Sequence, residues 1–244
     1  MRSFPRRPRA PRRGEPPGRA RLRVLALALA VLTATEGIAH AALKETPELA
    51  AAVAQGRLPP VTERLPRAPA LAELETIGQP GGELRMLMAS AKDTRLMTVY
   101  GYARLVAYTP ALALVPDILE ALDVTQGRIF TLHLRAGHKW SDGRPFTAED
   151  FRYWYEDVAL NPELSPNGLP TVLLPNGEPP LFEVIDDTTI RYSWPRPNPL
   201  FLPALAGADP LFIYCPAHYL KHFHQKYADK EALAALVRRM GVHN

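Results

Sequence analysis

The run Leu134-Arg135-Ala136-Gly137-His138-Lys139-Trp140-Ser141-Asp142-Gly143-Arg144-Pro145-Phe146-Thr147-Ala148-Glu149-Asp150-Phe151 holds a strand end, a turn and a helix start. Trp140-Ser141-Asp142-Gly143 has turn chemistry: an Asp side chain bonds nearby backbone N–H groups, and Gly tolerates a positive φ. Thr147 is an N-cap residue, and Asp150 three positions on fits a capping box. Glu149 and Asp150 in the first turn suit the positive end of the helix dipole. The pattern predicts a helix over residues 146–160, with Phe146, Phe151 and Trp154 packed on a sheet.

That sheet is legible on both sides of the run. Residues 128–134 (RIFTLHL) alternate Ile129, Thr131 and His133 against Phe130, Leu132 and Leu134, a half-buried strand. After a loop rich in Pro, Asn and Gly (161–180), residues 182–185 and 188–193 are two strands around the turn Asp186-Asp187. Farther out, 83–88 (ELRMLM) alternates enough for a strand. The pattern predicts helix for 98–108, ending before Pro110, and at least a helical turn for 117–122. Residues 201–205 and 217–223 look helical, and 231–240 is an amphipathic helix. Strands and helices alternate irregularly and no internal repeat is found, so the fold class is α/β, or a mixed α+β body.

Before the body comes an arm, 42–81, rich in Ala and Pro. Residues 48–55 have helical apolar spacing, with Pro47 at a permitted first-turn position and Gly56 as a stop. Leu58-Pro59-Pro60-Val61 and Leu65-Pro66 are expected to run extended, since proline removes donors and restricts its predecessor.

The formal net charge of +4 invites a nucleic-acid reading, which its distribution removes. Residues 1–41 hold nine Arg and only Glu15 and Glu36, leaving 20 basic and 23 acidic residues after them, a net of −3. A nucleic-acid surface would keep its cations on the folded body. The Arg-rich start precedes the apolar run 24–32 (VLALALAVL). Nine helical residues rise about 14 Å, short of the ~30 Å hydrocarbon core, so this is a signal-peptide h-region. Ala39-His40-Ala41 fits the A-x-A cleavage pattern, and cleavage is expected after Ala41, with release into a periplasm. The pairs Arg6-Arg7 and Arg12-Arg13 leave general and twin-arginine export both open. Cys215 is the single cysteine, which excludes an intrachain disulfide and reads as a small buried hydrophobe.

The run from Leu134 to Phe151 resembles the signature of the family 5 extracellular solute-binding proteins of ABC transporters, the peptide and nickel type. Further stretches resemble the same family in the same order: Gly81-Gly82-Glu83-Leu84-Arg85, then Leu114-Val115-Pro116-Asp117-Ile118-Leu119-Glu120, then Val184-Ile185-Asp186-Asp187-Thr188-Thr189-Ile190, and last Pro216-Ala217-His218-Tyr219-Leu220. The resemblance implies a periplasmic binding protein-like type II fold over 82–244. Family members are longer, and their chain crosses into a second lobe, so the fold is expected to be incomplete here. It also implies a small-molecule ligand, foremost a peptide, permease subunits of an ABC importer as partners, no cofactor, no nucleic acid and no enzymatic activity. Within this part of the family's chain the expected ligand-binding residues are Ser90, Lys92, Asp93 and Thr94, after the first strand, with Tyr100 and Tyr102 beyond.

Three rival readings come from the residues. His218, His222 and His224 could hold a metal or metal chelate, since i and i+4 share a helical face. Trp154 and Trp194 could serve an oligosaccharide. Ser141, Asp142 and His138 superficially resemble a hydrolase set, but residues so close on one turn do not easily converge as a triad.

Overall fold

A computed structural model describes residues 43–71, 76, 78–97, 103–207 and 211–241. The chain divides into two units, 1–45 and 46–244. The leader, its expected cleavage after Ala41, Tyr100 and Tyr102 lie outside the described residues. Among the described residues no helix is long and apolar enough to cross a membrane.

The second unit is built on a four-stranded antiparallel sheet: β3 (Leu119–Thr125), β4 (Ile129–Leu134), β5 (Leu181–Asp186) and β6 (Thr189–Ser193), in the order β3-β4-β6-β5. Phe130 pairs with Tyr192 and Leu132 with Ile190, so the apolar set of each strand reaches the same face. Phe130, Leu132, Leu134, Ile190 and Tyr192 are buried there. Against them lie α3 (Ala148–Arg152) and the π-helical turn Tyr153–Ala159 that continues it, bringing Phe151, Tyr155 and Ala159. From α4 (Phe201–Ala206), Phe201 sits 5.1 Å from the Phe130 ring and 5.0 Å from Trp194. Burying each such side chain contributes roughly 1.5–3 kcal/mol, which makes this face the source of the fold's stability. The opposite face carries polar pairs: His133 lies 2.8 Å from Asp123, and Arg191 Nε donates to Thr131 Oγ1 at 3.3 Å.

The strands 128–134, 182–185 and 188–193 and the helix at 146–160 form as the sequence predicts, as does the C-terminal helix, here α6 (Lys230–Met240) with Asp229 as its cap. Four expectations fail. Residues 103–108 are not helical: β1 (Val106–Tyr108) pairs with β2 (Leu114–Pro116) around a turn that sets Leu112 at φ 60°. Residues 98–102 of that expected helix lie outside the described residues. Residues 119–122 belong to strand β3, because Leu119, Ala121 and Leu122 pair with Leu134, His133 and Leu132 and tertiary pairing overrides local propensity. Residues 83–88 form no strand: Leu84, Met86, Leu87 and Met88 are exposed, and no described strand pairs with them. An alternating pattern becomes a strand only with a partner to bond. Last, the arm is not extended throughout. After α1 (Pro47–Ala54), the four residues of α2 (Val61–Arg64) coil once, entered from Pro60, which needs no donor, and ended before Pro66 with Leu65 extended.

Candidate functional site

The turn at Trp140 is tied down by Asp150. Only 3 % exposed, its carboxylate accepts from the Thr147 N–H at 2.9 Å, from the Trp140 indole N–H at 3.1 Å and from the Ala217 N–H at 3.0 Å. The predicted capping bond from Asp150 to its N-cap is therefore present, and the same group also anchors α5 (Ala217–Leu220). Asp142 Oδ1 accepts from the Arg144 N–H at 3.0 Å, and Gly143 has φ 85°, as the turn chemistry requires. The Trp140 ring packs on Phe146 (5.4 Å) and Tyr214 (6.2 Å). These contacts make the Trp140 turn scaffold.

Ser90, Lys92, Asp93 and Thr94 surround the start of a 3-10 turn, Ala91–Met97. The Ser90 N–H donates to Asp93 Oδ2 at 2.9 Å, and Thr94 Oγ1 donates to the Ala91 carbonyl at 2.8 Å. Lys92 is exposed, and among the described residues it has no hydrogen-bond or ion-pair partner. The structure therefore brings these four together on one small, solvent-facing turn that follows the exposed Leu84, Met86, Leu87 and Met88.

A charge cluster with no counterpart among the sequence expectations joins the end of α3 to the C-terminal segment. Arg152 bonds Glu149 (2.6 Å), Glu156 (2.7 Å) and Asp157 (3.0 Å). Asp157, nearly fully buried, also accepts from Lys226 Nζ at 2.7 Å and Tyr227 Oη at 2.6 Å. Burial pushes the Asp157 carboxyl up, but the bonds from Lys226, Tyr227 and Arg152 outweigh it and hold it below its ordinary value. Glu149 is likewise held low, chiefly by Arg152. The only signal of this cluster in the sequence is the i, i+3 and i, i+4 spacing of Glu149, Arg152 and Glu156.

The histidines do not assemble. The α-helix ends at Leu220 and passes into a 3-10 turn, Lys221–Phe223, so the i, i+4 spacing no longer means one face. His218 Nε2 sits 2.6 Å from Asp142, and His224 Nε2 bonds the Asp157 carbonyl at 3.2 Å. Among the described residues no group of three or more His, Cys, Asp or Glu is placed to hold a metal ion. The hydrolase set separates as well, since Asp142 pairs with His218 and the His138 ring packs on Phe146 at 5.4 Å. Of the two tryptophans considered for a sugar, Trp194 is buried, its indole N–H donating to the Leu173 carbonyl at 3.0 Å, and Trp154 packs half-buried against the core.

Two concavities stand out. One, of about 560 Å³, lies between the arm and the Trp140 turn and includes Arg57, Leu58, Arg64, Lys139 and Asp142. The other, of about 580 Å³, lies between the 222–229 segment and α6 and includes Phe223, Tyr227, Leu233 and Leu236. Neither includes Ser90, Lys92, Asp93 or Thr94.

Comparison with known proteins gives one family. The model described as bacterial extracellular solute-binding proteins, family 5 Middle, matches residues 113–235. The periplasmic alpha-galactoside-binding protein of Rhizobium meliloti (strain 1021) is 31% identical over 203 residues, 72% of this chain and 28% of the relative. The periplasmic oligopeptide-binding protein OppA of Escherichia coli (strain K12) is 34% identical over 101 residues, 35% of this chain and 18% of the relative. Among solved structures, an oligopeptide-binding protein OppA superposes with a TM-score of 0.66 at 33% identity, covering 79% of this chain and 30% of that one. The stachyose complex of MelB from Agrobacterium fabrum C58 shares the fold, with a TM-score of 0.53 at 23% identity over 79% of this chain and 33% of that one. The chain thus spans less than a third of the length of these curated relatives.

Proposed function

The chain belongs to the bacterial extracellular solute-binding proteins of family 5, and from that membership we propose that it forms part of the binding subunit of an ABC importer, with a short peptide as its solute. The observation that carries this reading is the superposition on an oligopeptide-binding OppA over 79% of the chain at 33% identity. The family consists of solute-binding proteins rather than enzymes. The relatives' names place them in the periplasm, and the basic leader with its apolar run would carry this chain there.

In this reading the rigid body around Asp150 is one jaw of a trap. A ligand that touches both jaws only when they are shut shifts the hinge equilibrium toward closure, and permease subunits recognise the shut form. A peptide would be held largely through its main chain, so side chains of many kinds would be tolerated. Ser90, Lys92, Asp93 and Thr94, with Tyr100 and Tyr102, are proposed to face it. Lys92 has a free ammonium to offer a peptide carboxylate.

The test is a thermal-shift and calorimetric titration of the purified chain with a mixture of tri- to pentapeptides. Saturable heat and a rise of roughly 2–4 °C in Tm are expected, with affinity reduced at least tenfold in Lys92→Met. Absence of heat at millimolar peptide would overturn the reading. A second reading, an oligosaccharide, is favoured by the alpha-galactoside-binding relative, which aligns over 203 residues. Stachyose in place of peptide in the same titration decides between them.

A further inference from the structure

The groove between the arm and the Trp140 turn is a candidate site distinct from the turn at 90–94. Its two walls come from separate stretches, held together through the arm's backbone. The Arg67 N–H donates to the Ala136 carbonyl at 2.9 Å, Arg135 donates to the Ala68 carbonyl at 3.0 Å, and Lys139 Nζ donates to the Glu63 carbonyl. Gly137, beside the arm, has φ 83°, a backbone conformation that suits glycine and strains other residues.

Cations gather where the walls meet. Arg57 and Arg64 line it from the arm and Lys139 from the turn, and Glu63 and Asp142 are its acidic lining residues. Asp142 is already committed to His218 at 2.6 Å. Arg57 spends its Nε on the Gln55 amide oxygen and Lys139 spends one donor on a carbonyl, and neither has a carboxylate within ion-pair distance among the described residues. Leu58, Pro59 and the Trp140 ring add apolar surface, and the volume of about 560 Å³ falls within the roughly 300–1,000 Å³ of small-molecule sites.

We propose that this groove binds a small organic anion, one whose carboxylates meet Arg57 and Lys139 while a flat apolar body lies against Trp140 and Pro59. A cation on each wall makes such a ligand a bridge: it binds the docked arm better than the undocked one, and so fastens the arm to the body. Arginine and lysine donors favour carboxylates through charge-assisted bonds, and the apolar floor discriminates against a bare inorganic ion.

The experiment is a tryptophan-fluorescence titration of the full chain at constant ionic strength, with isophthalate as the carboxylate probe and inorganic phosphate as the ion without an apolar body. Limited trypsin cleavage after Arg57 and Arg67 provides the second readout. Expected are saturable binding of isophthalate at least tenfold tighter than phosphate, and slower arm cleavage in its presence. A loss of at least tenfold in affinity is expected in Arg57→Gln and in Lys139→Met, but not in Lys139→Arg. Arg57 is exposed on the arm, so its variant remains decisive should Lys139→Met fold poorly. Equal binding of the two probes, unchanged affinity in Arg57→Gln, or arm cleavage indifferent to isophthalate would each overturn the proposal.

Discussion

Asp150 accepts a hydrogen bond from the indole N–H of Trp140, ten residues earlier and across the turn, at 3.1 Å. The same carboxylate receives the Thr147 and Ala217 N–H groups, so one buried acid joins a turn, a helix start and the segment that opens α5.

Removing that acid strands three donors at once, one buried and two half-buried. Hydrogen bonds to a charged group are worth about 1.5–3 kcal/mol each, though losses at one hub do not add fully. Asp150→Ala is expected to cost about 3–5 kcal/mol in urea denaturation. Asp150→Asn should cost less, because one oxygen remains. A loss under about 1 kcal/mol in Asp150→Ala would refute the hub.

Asp157 makes stability depend on acid. Its folded pKa is depressed, so its contribution is fully present above the unfolded value of about 3.9 and disappears as pH falls through the folded value. Glu149 acts in the same direction. Stability should fall steadily below about pH 4 and fall less steeply in Asp157→Asn, which leaves Arg152 and Lys226 without their buried partner and costs about 3 kcal/mol at neutral pH. Denaturation midpoints in acid and at neutral pH for both proteins check this. Identical slopes would contradict it.

Tyr192 is fully buried, and its hydroxyl has no hydrogen-bond partner among the described residues. Burial raises its pKa far above the ordinary value, with a smaller push from Tyr155. An unsatisfied buried hydroxyl costs about 1–3 kcal/mol. Tyr192→Phe is therefore expected to match or exceed the parent in stability, by up to about 1 kcal/mol, as read by thermal denaturation. A clear loss would reveal a partner for the hydroxyl.

Cys215 has its thiol pushed up to about 12, first by burial and then by the Asp150 carboxylate. The thiolate is the reactive form, so at a pH of about 8 the native chain presents far less of it than the unfolded one. Labelling by a thiol-disulfide reagent should be at least a hundredfold slower in the native protein than in urea. Comparable rates would show an accessible thiolate.

Strand β4 was legible because it repeats with period two, and β5 and β6 because they flank the turn Asp186-Asp187. Phe130 and Leu132 alternate as cleanly in the sequence as they pack in the core. The helix start was legible because Thr147 and Asp150 are three residues apart. Residues 83–88 misled because alternation reports one strand and not its partner. Residues 117–122 misled because the pairing of 119–122 with β4 outweighs the local preference of Leu, Glu and Ala for helix. The turn holding Ser90, Lys92, Asp93 and Thr94 was proposed from its place after the expected first strand, whereas the arm groove gave no sequence signal, because its walls lie some eighty residues apart and only folding brings Arg57 near Lys139.

The π-helical turn at Tyr153–Ala159 sets the direction in which Asp157 points. Five steps of an ordinary α-helix rotate a side chain about 140° past its starting direction, which would swing Asp157 away from Arg152. The wider coil brings the two back into line at 3.0 Å. The extra residue wound into this coil is what lets an acid five positions on meet Arg152, and through that acid Lys226 and Tyr227 moor the tail of the chain to the same helix.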